Sequence, residues 1–371
     1  MNTLFLKKID AIIGSGLTHL LTRPAPMDSP PTDVRRLLLI RPGGIGDAVL
    51  LVPVLRALRR RWPEAKLHVL AERRNAAVFG MCPDVDAVFR YDKPKELLTA
   101  LGGRYDVVID SEQWHTLSAV IGRLIRSSVK IGFATNARKK LFNGPVAYGQ
   151  RAYEAESFLD LLRPLGFDSS KDLQIPFLEI DPAVQGRAGE LLGDLHNKSF
   201  VVLFPGASIP ERRWGAENFK AVANALVEKG VPVVVVGGRE DVAEGTKIVT
   251  GAGGLNLAGR ASLPETAAVI ARCAVLVSGD SGVLHLAVGL GRPTVSLFGP
   301  GIAEKWAPRG ERHIVFRRDF PCSPCTRFGY TPPCPINARC LAEILPEEVS
   351  VAVGRLLVKL EAKNEGLSIG R

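Results

Sequence analysis

A glycine-rich turn carrying one carboxylate is the first segment of this sequence that could do chemistry. It reads Arg41-Pro-Gly-Gly-Ile-Gly-Asp47 and follows a short apolar run. Glycines let a backbone turn tightly and approach a ligand. A dinucleotide fingerprint is excluded because the third glycine position holds Val49, and a Walker loop is excluded because no Gly-Lys-Ser/Thr follows. Asp47 therefore stands at a predicted helix N-terminus, either as a functional carboxylate or only as a cap of that helix.

Two further segments combine small residues with charge in a way that suits phosphate. Phe204-Pro-Gly-Ala-Ser208 precedes the basic pair of Arg212-Arg213-Trp214. Ser278-Gly-Asp280-Ser281-Gly282-Val-Leu-His285 contains a tight turn and a helix start, where the N–H groups of Ser281 and Gly282 are predicted to hold a pyrophosphate. His285 lies one turn further along that helix. The alternatives are a surface loop for the first segment and a structural histidine in the second.

Four of the six cysteines lie close together in the sequence, at Cys322, Cys325, Cys334 and Cys340. In a reducing compartment this spacing predicts one tetrahedral Zn²⁺ or iron site. Such a metal would be structural, because it would hold together a Pro-rich loop with little core of its own. Unligated thiols and disulfides are the alternatives. Cys82 and Cys273 stand alone and are predicted to be buried as small hydrophobic residues.

Short apolar strands alternate with helical segments along the whole chain. Strands are predicted at residues 36–40, 66–71, 85–89, 105–110, 129–133, 199–204, 231–236, 274–278 and 294–298. This alternation predicts parallel sheets covered by helices, and the Val-rich runs indicate strands buried on both faces. The predicted fold class is therefore α/β, with two doubly wound domains. Ligands bind beyond the carboxyl ends of such strands, so two facing domains would place the three motifs around a central cleft.

The predicted organisation begins with an amphipathic helix and a Pro-rich linker in residues 1–32. Two domains follow, at 33–180 and at 181–350, the second containing the Cys-rich loop 320–340, and residues 351–371 form a helix and tail. The first helix either docks on the body of the protein or lies in a membrane interface. No apolar stretch is long enough to span a membrane and no cleavable signal is evident, so the predicted compartment is cytoplasmic.

The net charge of +10 predicts an anionic partner, and the basic residues are unevenly distributed. Residues 113–153 contain no Asp or Glu but seven Lys or Arg. Aromatic residues make up only 6% and no nucleic-acid motif is present, which argues against a nucleic-acid binder. A membrane surface or a phosphorylated substrate therefore remains as the class of anionic partner that the charge predicts.

The three motifs, together with Gly237-Gly238-Arg239-Glu240 and Leu297-Phe298-Gly299-Pro300, resemble glycosyltransferase family nine, the ADP-heptose:lipopolysaccharide heptosyltransferases. The resemblance runs in order from about residue 36 to 350. It implies a GT-B fold, with two Rossmann-like domains that bind the acceptor and the nucleotide sugar respectively. It also implies inverting, metal-independent transfer of heptose from ADP-heptose to the inner core of lipopolysaccharide. The alternatives are another nucleotide sugar or acceptor, or a nucleotide-sugar-binding module without catalysis.

The resemblance also assigns roles to individual residues. Asp47 matches the general base, and Arg212 matches the cation that stabilises the departing diphosphate. The matched donor-binding residues are Ala207, Ser208, Arg213, Glu240, Asp280, Ser281, Gly282 and His285. The predicted acceptor-binding residues are Arg41, Gly43, Gly44, Gly46, Arg138 and Lys139. No cofactor is expected for catalysis. The implied acceptor is Kdo–lipid A or a heptosylated core, met by peripheral contact with the cytoplasmic face of the inner membrane.

Overall fold

Two six-stranded parallel sheets, one in each half of the chain, form the framework of the protein. The computed structural model describes residues 10, 14–168, 173–327 and 330–368. The chain divides into two compact units, Met1–Gln174 and Ile175–Arg371. Each unit contains one all-parallel sheet with connecting helices, so the predicted α/β fold with two doubly wound domains is confirmed.

The first unit alternates strands and helices. Its strands are β1 (Arg36–Ile40), β2 (Lys66–Ala71), β3 (Ala87–Arg90), β4 (Arg104–Asp110), β5 (Arg126–Phe133) and β6 (Gly144–Val146). Its helices are α1 (Ser15–Leu20), α2 (Ile45–Leu50), α3 (Val52–Arg61), α4 (Ala76–Gly80), α5 (Pro94–Gly102), α6 (Thr116–Leu124) and α7 (Glu154–Asp160). A 3₁₀ turn, Ala137–Leu141, precedes β6.

The strand order in this sheet is β3-β2-β1-β4-β5-β6. The central strand β1 is buried from Leu37 to Ile40, which is why it reads as an uninterrupted apolar run. The chain reverses its direction of progress across the sheet between β1 and β4, where Ile40 pairs with Asp110. Side chains that follow these two strands therefore meet at the switch point where doubly wound sheets bind ligands.

The second unit repeats the pattern. Its strands are β7 (Val201–Phe204), β8 (Val233–Val235), β9 (Leu255–Asn256), β10 (Val275–Gly279), β11 (Thr294–Phe298) and β12 (His313–Arg317). Its helices are α8 (Pro182–Leu192), α9 (Ala216–Val227), α10 (Val242–Val249), α11 (Leu263–Arg272), α12 (Gly282–Gly289), α13 (Ala303–Trp306), α14 (Arg339–Ala342) and α15 (Pro346–Ser368).

The strand order here is β12-β11-β10-β7-β8-β9, with the switch point between β7 and β10, where Ser278 pairs with Phe204. Local sequence signals place the helices. Ser262 and Glu265 form a capping box at the start of α11, and Asp181 caps α8 ahead of Pro182. The final helix α15 begins at Pro346 and packs on the core of this unit through Val349, Val353 and Leu356.

The two isolated cysteines are buried as predicted. Cys82 is 4% exposed and Cys273 is fully enclosed. Burial raises the pKa of each thiol to about 12, so both stay protonated and unreactive at neutral pH.

The N-terminal segment is described only in part, because residues 1–9 and 11–13 of the predicted helix lie outside the described residues. The described part packs on the first unit. Leu21 lies against the small cluster of Ala119, Val120, Leu141 and Phe142. Within the described part of the chain, no helix is both long and apolar enough to cross a membrane.

Helix α6 has a charged side chain at each end, Asp10 from far earlier in the chain and Lys130 from the next strand. At its N-terminus, Asp10 Oδ1 accepts hydrogen bonds from the N–H groups of Thr116 and Leu117 at 2.8 and 2.7 Å. At its C-terminus, the buried Lys130 Nζ donates to the carbonyls of Gly122, at 2.9 Å, and Ile125. Both charges have the sign that stabilises a helix dipole, so the two contacts fix α6 in place.

Replacing Asp10 by Ala should lower the free energy of unfolding by about 1–2 kcal/mol at pH 7, as the loss of other side-chain caps does. Burial opposes ionisation of Asp10, but hydrogen bonds from His115, Leu117 and Thr116 outweigh it, so its pKa lies below the usual value. The contribution is therefore present above pH ~4 and is lost as the pH falls through the lowered folded-state pKa. Urea unfolding at pH 7 and at pH ~3 would measure the loss of unfolding free energy and its dependence on pH. The exposed Asp28→Ala serves as the matched control, and a loss of similar size in both variants would contradict the capping role.

Candidate functional site

The glycine-rich turn after β1 packs directly on a buried arginine. Arg41 is 2% exposed, and its Nη1 donates to the carbonyl of Ser111 at 2.8 Å. Gly43 has φ +112°, and a Cβ there would lie 2.9 Å from Arg41 Nη2. Position 43 therefore requires glycine for both backbone conformation and space. The glycine-rich turn therefore packs against the Arg41 side chain immediately before helix α2 begins.

Asp47 lies in the first turn of α2 and faces Arg41. Its Oδ2 is 3.0 Å from Arg41 Nη2, and its Oδ1 accepts from Gln113 Nε2 at 3.4 Å. The N-cap residue Gly44 makes no side-chain capping bond, and the hydrogen bonds of Asp47 run to these two side chains. The geometry therefore favours a functional carboxylate over a simple helix cap.

The protonation of Asp47 is set by opposing influences. Burial raises the pKa of Asp47 most strongly, the positive charge of Arg41 lowers it, and the nearby Glu112 raises it again. The net direction is upward from the usual value. Its side chain is still 18% exposed, so a substrate hydroxyl could reach it. A partly exposed carboxylate with a raised pKa has the properties that a general base needs.

Four polar residues near Asp47 belong to none of the motifs recognised in the sequence. Glu112 and Gln113 follow β4, Glu154 begins α7, and Tyr148 precedes it. Gln113 Nε2 donates to Glu154 Oε1 at 2.6 Å, and Tyr148 Oη donates to both oxygens of Glu154 at 3.1 and 3.0 Å. A polar run directly after β4, the neighbour of β1, is the sequence signal that could have located Glu112 and Gln113.

Arg138 does not occupy the surface position that an acceptor contact requires. Its side chain is fully buried and forms an ion pair with Asp110, which is equally buried, while also donating to the carbonyl of Glu112. The prediction that Arg138 binds the acceptor is therefore wrong, because no atom of the guanidinium is open to solvent. Its neighbour Lys139 is exposed, and Lys140 is partly exposed. The positive charge that this turn presents to solvent therefore comes from these two lysines.

In the second unit, the ends of β7 and β10 bring two predicted motifs together. Arg212 Nη1 lies 3.1 Å from Asp280 Oδ2. Arg212 Nε and Asp280 Oδ2 are nevertheless buried without a hydrogen bond of good geometry to any described residue. A Cβ at Gly301, directly after the Leu297-Phe298-Gly299-Pro300 segment, would lie 2.2 Å from Asp280 Oδ2, so the turn that follows β11 packs on the same carboxylate. Buried polar atoms that lack a hydrogen bond need an explanation, and at a switch point the explanation we favour is a ligand site.

The start of helix α12 completes this cluster. Ser281 Oγ accepts from the N–H of Leu284 at 3.2 Å and contacts Ser278 Oγ at 2.8 Å, so Ser281 is the helix cap. His285 is 2% exposed, and its Nδ1 has no hydrogen-bond partner among the described residues. Burial lowers the pKa of His285 to about 4, against a smaller opposing effect of Asp280. The imidazole is therefore neutral at physiological pH. Gly282 follows Ser281 and is partly exposed.

Of the remaining predicted donor residues, Arg213 is held by hydrogen bonds within the protein, whereas Ser208 and Glu240 are exposed. Arg213 is held by Glu244 at 3.0 Å, by Asp241 at 3.2 Å and by the carbonyl of Ala207 at 3.2 Å. These contacts fix the turn after β7. Ser208 and Glu240 are exposed at that edge of the sheet, where a ligand could meet them. Arg213 thus shapes the turn, and Arg212 is the cation of the pair that faces Asp280.

The predicted metal site at the cysteines receives no support. Cys322, Cys325, Cys334 and Cys340 are all free thiols. Among the described residues, which include all four cysteines, no group of three or more His, Cys, Asp or Glu side chains could hold a metal ion. Cys334 Sγ instead accepts from the N–H of Ala338 at 3.2 Å. The arrangement of the four thiols therefore gives no support to a tetrahedral Zn²⁺ or iron site.

The comparison with protein families decides the classification. The profile of glycosyltransferase family 9 (heptosyltransferase) matches residues 95–332, more than half of the chain. The chain belongs to glycosyltransferase family 9. The resemblance predicted from the five segments is thereby confirmed, and the chain is a glycosyltransferase.

Individual relatives of this family member agree with the classification. Lipopolysaccharide heptosyltransferase 3 of Escherichia coli is 28% identical over 295 residues, which cover 73% of this chain and 85% of the relative. The solved E. coli ADP-heptose LPS heptosyltransferase II has a TM-score of 0.72 at 24% identity and covers 88% of this chain and 99% of that one. An E. coli heptosyltransferase solved with ADP-2-deoxy-2-fluoro heptose has a TM-score of 0.66 at 19% identity, covering 86% and 99%. The structural likenesses show the GT-B fold.

Proposed function

We propose that this family 9 glycosyltransferase moves heptose from ADP-heptose to the inner core of lipopolysaccharide, with Asp47 as general base. The observation that carries the proposal is the partly exposed Asp47 carboxylate with its raised pKa, placed at the switch point of the first sheet. Family membership supplies the reaction class. The relatives are named as heptosyltransferases, which supplies the sugar.

The reaction is a single displacement. The acceptor hydroxyl oxygen attacks the anomeric carbon of the heptose while its proton passes to Asp47. The bond from that carbon to the diphosphate oxygen breaks, and ADP leaves on the opposite face. The configuration at the anomeric carbon is therefore inverted. General base catalysis of this kind contributes about 100- to 10,000-fold to a rate.

The donor is assigned to the second unit, at the ends of β7 and β10. Arg212 is the cation for the diphosphate, and helix α12 begins directly after β10, so its N-terminus is the second proposed contact for the diphosphate. Asp280 Oδ2, which has only its ion-pair contact with Arg212, and His285 Nδ1, which has no hydrogen-bond partner among the described residues, are suited to hydroxyl or amine groups of the nucleotide sugar. Together with the exposed Glu240 near the expected ribose, these groups form the proposed donor site.

The acceptor is assigned to the first unit, which carries the acid-free stretch of residues 113–153. Inner-core acceptors bear carboxylates and phosphates and are linked to lipid. We therefore place the enzyme peripherally at the cytoplasmic face of the inner membrane, where exposed lysines attract an anionic surface. Arg41 is buried beneath the glycine-rich turn, so its proposed role is to hold Asp47 and the turn that meets the acceptor.

Sugar transfer can be measured directly by mass spectrometry. The purified chain is incubated with ADP-heptose and either a heptose-less Kdo–lipid A or a core that already bears heptose. A heptose mass increment on one acceptor, and none with a UDP-sugar in place of ADP-heptose, is the expected result. NMR of the product anomeric carbon should show inversion. A chain that modifies neither acceptor, while remaining folded, would contradict the proposed function.

Removing Lys139 and Lys140 together, as Lys139→Ala with Lys140→Ala, should raise the acceptor KM about 5- to 30-fold and leave the ADP-heptose KM unchanged. The reason is that each lysine near an anionic surface contributes about 1 kcal/mol. Initial rates with each substrate varied in turn would measure both constants. The Lys93→Ala, Lys95→Ala pair removes equal charge from another exposed place on the same unit. Equal effects of the two pairs, or a change in donor KM, would contradict the assignment.

A further inference from the structure

One amide side chain, that of Gln113, contacts three charged groups: Asp47, Arg41 and Glu154. Gln113 Oε1 accepts from Arg41 Nη1 at 3.1 Å. Gln113 Nε2 donates to Glu154 Oε1 at 2.6 Å and to Asp47 Oδ1 at 3.4 Å. Gln113 follows β4, Arg41 follows β1 and Glu154 begins α7, so the amide connects three separate elements at the switch point.

These contacts permit only one orientation of the amide. A guanidinium has donors only, and an ionised carboxylate has acceptors only. Turning the amide over would place its oxygen against Asp47 and Glu154 and its NH₂ group against Arg41, so that all three contacts would become repulsive. Glu154 is fully buried and is itself held by Tyr148 Oη, so the anchor on that side is fixed. The Nε2 group is thus aimed at Asp47 before any substrate binds.

We infer that Gln113 is a positioning residue that holds the Asp47 carboxylate in place and in its ionised form. The inference rests on the proposed role of Asp47 as general base. Neither Arg41 nor Gln113 accepts the proton. Gln113 acts through Asp47, because a hydrogen bond to a carboxylate stabilises its charged form. The charged and titratable groups that surround Asp47 are Arg41, Arg74, Glu112, Glu154 and Tyr148.

The donor hydrogen bond has a definite effect on protonation. Gln113 lowers the pKa of Asp47, against the stronger upward effect of burial. Without Gln113 the pKa of Asp47 should therefore rise further. Because the base must be deprotonated, the acid limb of the kcat/KM profile should then move to higher pH. The free energy of a hydrogen bond to a charged group is large enough to shift this acid limb by about one pH unit.

The test compares Gln113→Leu and the isosteric Gln113→Glu with the unmodified enzyme. Both variants should lower kcat about 10- to 100-fold at neutral pH and regain activity as the pH rises, with the acid limb shifted upward by about one pH unit. Gln113→Glu should shift the limb at least as far as Gln113→Leu, since it adds a negative charge. The control is Gln185→Leu, which removes an amide whose Nε2 donates to the backbone carbonyl of Ile180 in the second unit.

A second readout does not depend on sugar transfer. Carbodiimide labels a carboxyl in its protonated form, so the fraction of Asp47 labelled at each pH, read by peptide mass spectrometry, reports its titration midpoint. Gln113→Leu should raise that midpoint. An unchanged midpoint, or a lowered kcat with an unmoved acid limb, would show that Gln113 is merely structural and would overturn the inference. If the unmodified enzyme transfers no heptose, the proposed function fails, while the labelling midpoint still decides the role of Gln113.

Discussion

Asp47→Asn is expected to lower kcat for heptose transfer by about 100- to 10,000-fold, the range that a positioned general base contributes. The amide keeps the shape of the side chain but cannot take the acceptor proton. The KM for ADP-heptose should stay near its original value, because the proposed donor site lies in the other unit. Steady-state kinetics with a lipid-linked acceptor, beside thermal unfolding to confirm that the variant folds, would give both numbers.

The pH profile distinguishes loss of a base from loss of structure. In the native enzyme, activity should fall as the pH drops through the pKa of Asp47, which burial raises above the usual value. The residual activity of Asp47→Asn should lack this acid limb. Asp92→Asn, an exposed carboxylate that accepts from the N–H of Arg73, provides the matched control in the same unit. A kcat for Asp47→Asn within about threefold of the native value would mean that another group takes the proton.

Arg138→Met is expected to lower the free energy of unfolding of the first unit by about 3–5 kcal/mol, as breaking a buried ion pair does. The substitution leaves the Asp110 carboxylate enclosed without its cation. Asp110 would retain hydrogen bonds from Ser118 Oγ, at 2.9 Å, and from the N–H of Glu112, at 3.1 Å, but these do not neutralise its charge. Urea unfolding followed by circular dichroism would measure the change.

Two companion variants separate burial from charge. Lys139→Met changes the adjacent, exposed cation and should alter stability by less than about 0.5 kcal/mol. Combining Arg138→Met with Asp110→Asn should recover part of the loss, because the uncompensated charge is then removed. A loss as small for Arg138→Met as for Lys139→Met would show that the pair carries little of the stability. An additive double variant would show that the two side chains do not interact.

The architecture could be predicted well where strands are continuous and apolar. The bounds of β1, β2 and β11 agree with the prediction residue for residue, because these strands are buried on both faces. The sequence did not reveal β6, β9 or β12. The first two have only three and two residues, and β12 carries polar residues at both ends, His313 and Arg317. Such short or partly exposed strands depend on pairing with a neighbour rather than on their own composition.

The candidate site could be predicted only where its residues share a motif. Asp47 lies six residues from Arg41 within one turn, whereas its partner Gln113 is 66 residues away. Long-range pairings of this kind leave no local spacing to recognise. Arg138 illustrates the opposite error. A run of basic residues suggests a solvated surface, but the fold turns one of the three inward to neutralise Asp110, which lies 28 residues earlier.

The cap of helix α6 also has a consequence for protein synthesis. Asp10 and its partner Thr116 are 106 residues apart. At about 5–20 residues per second, a ribosome releases Asp10 roughly 5–20 s before the helix that it caps has been made. Over the same interval the apolar side chain of Leu21 lacks the residues of α6 and the following turn against which it finally packs. Asp10 and Leu21 therefore lack their final contacts during this part of translation. They can dock only after about a third of the protein has been synthesised.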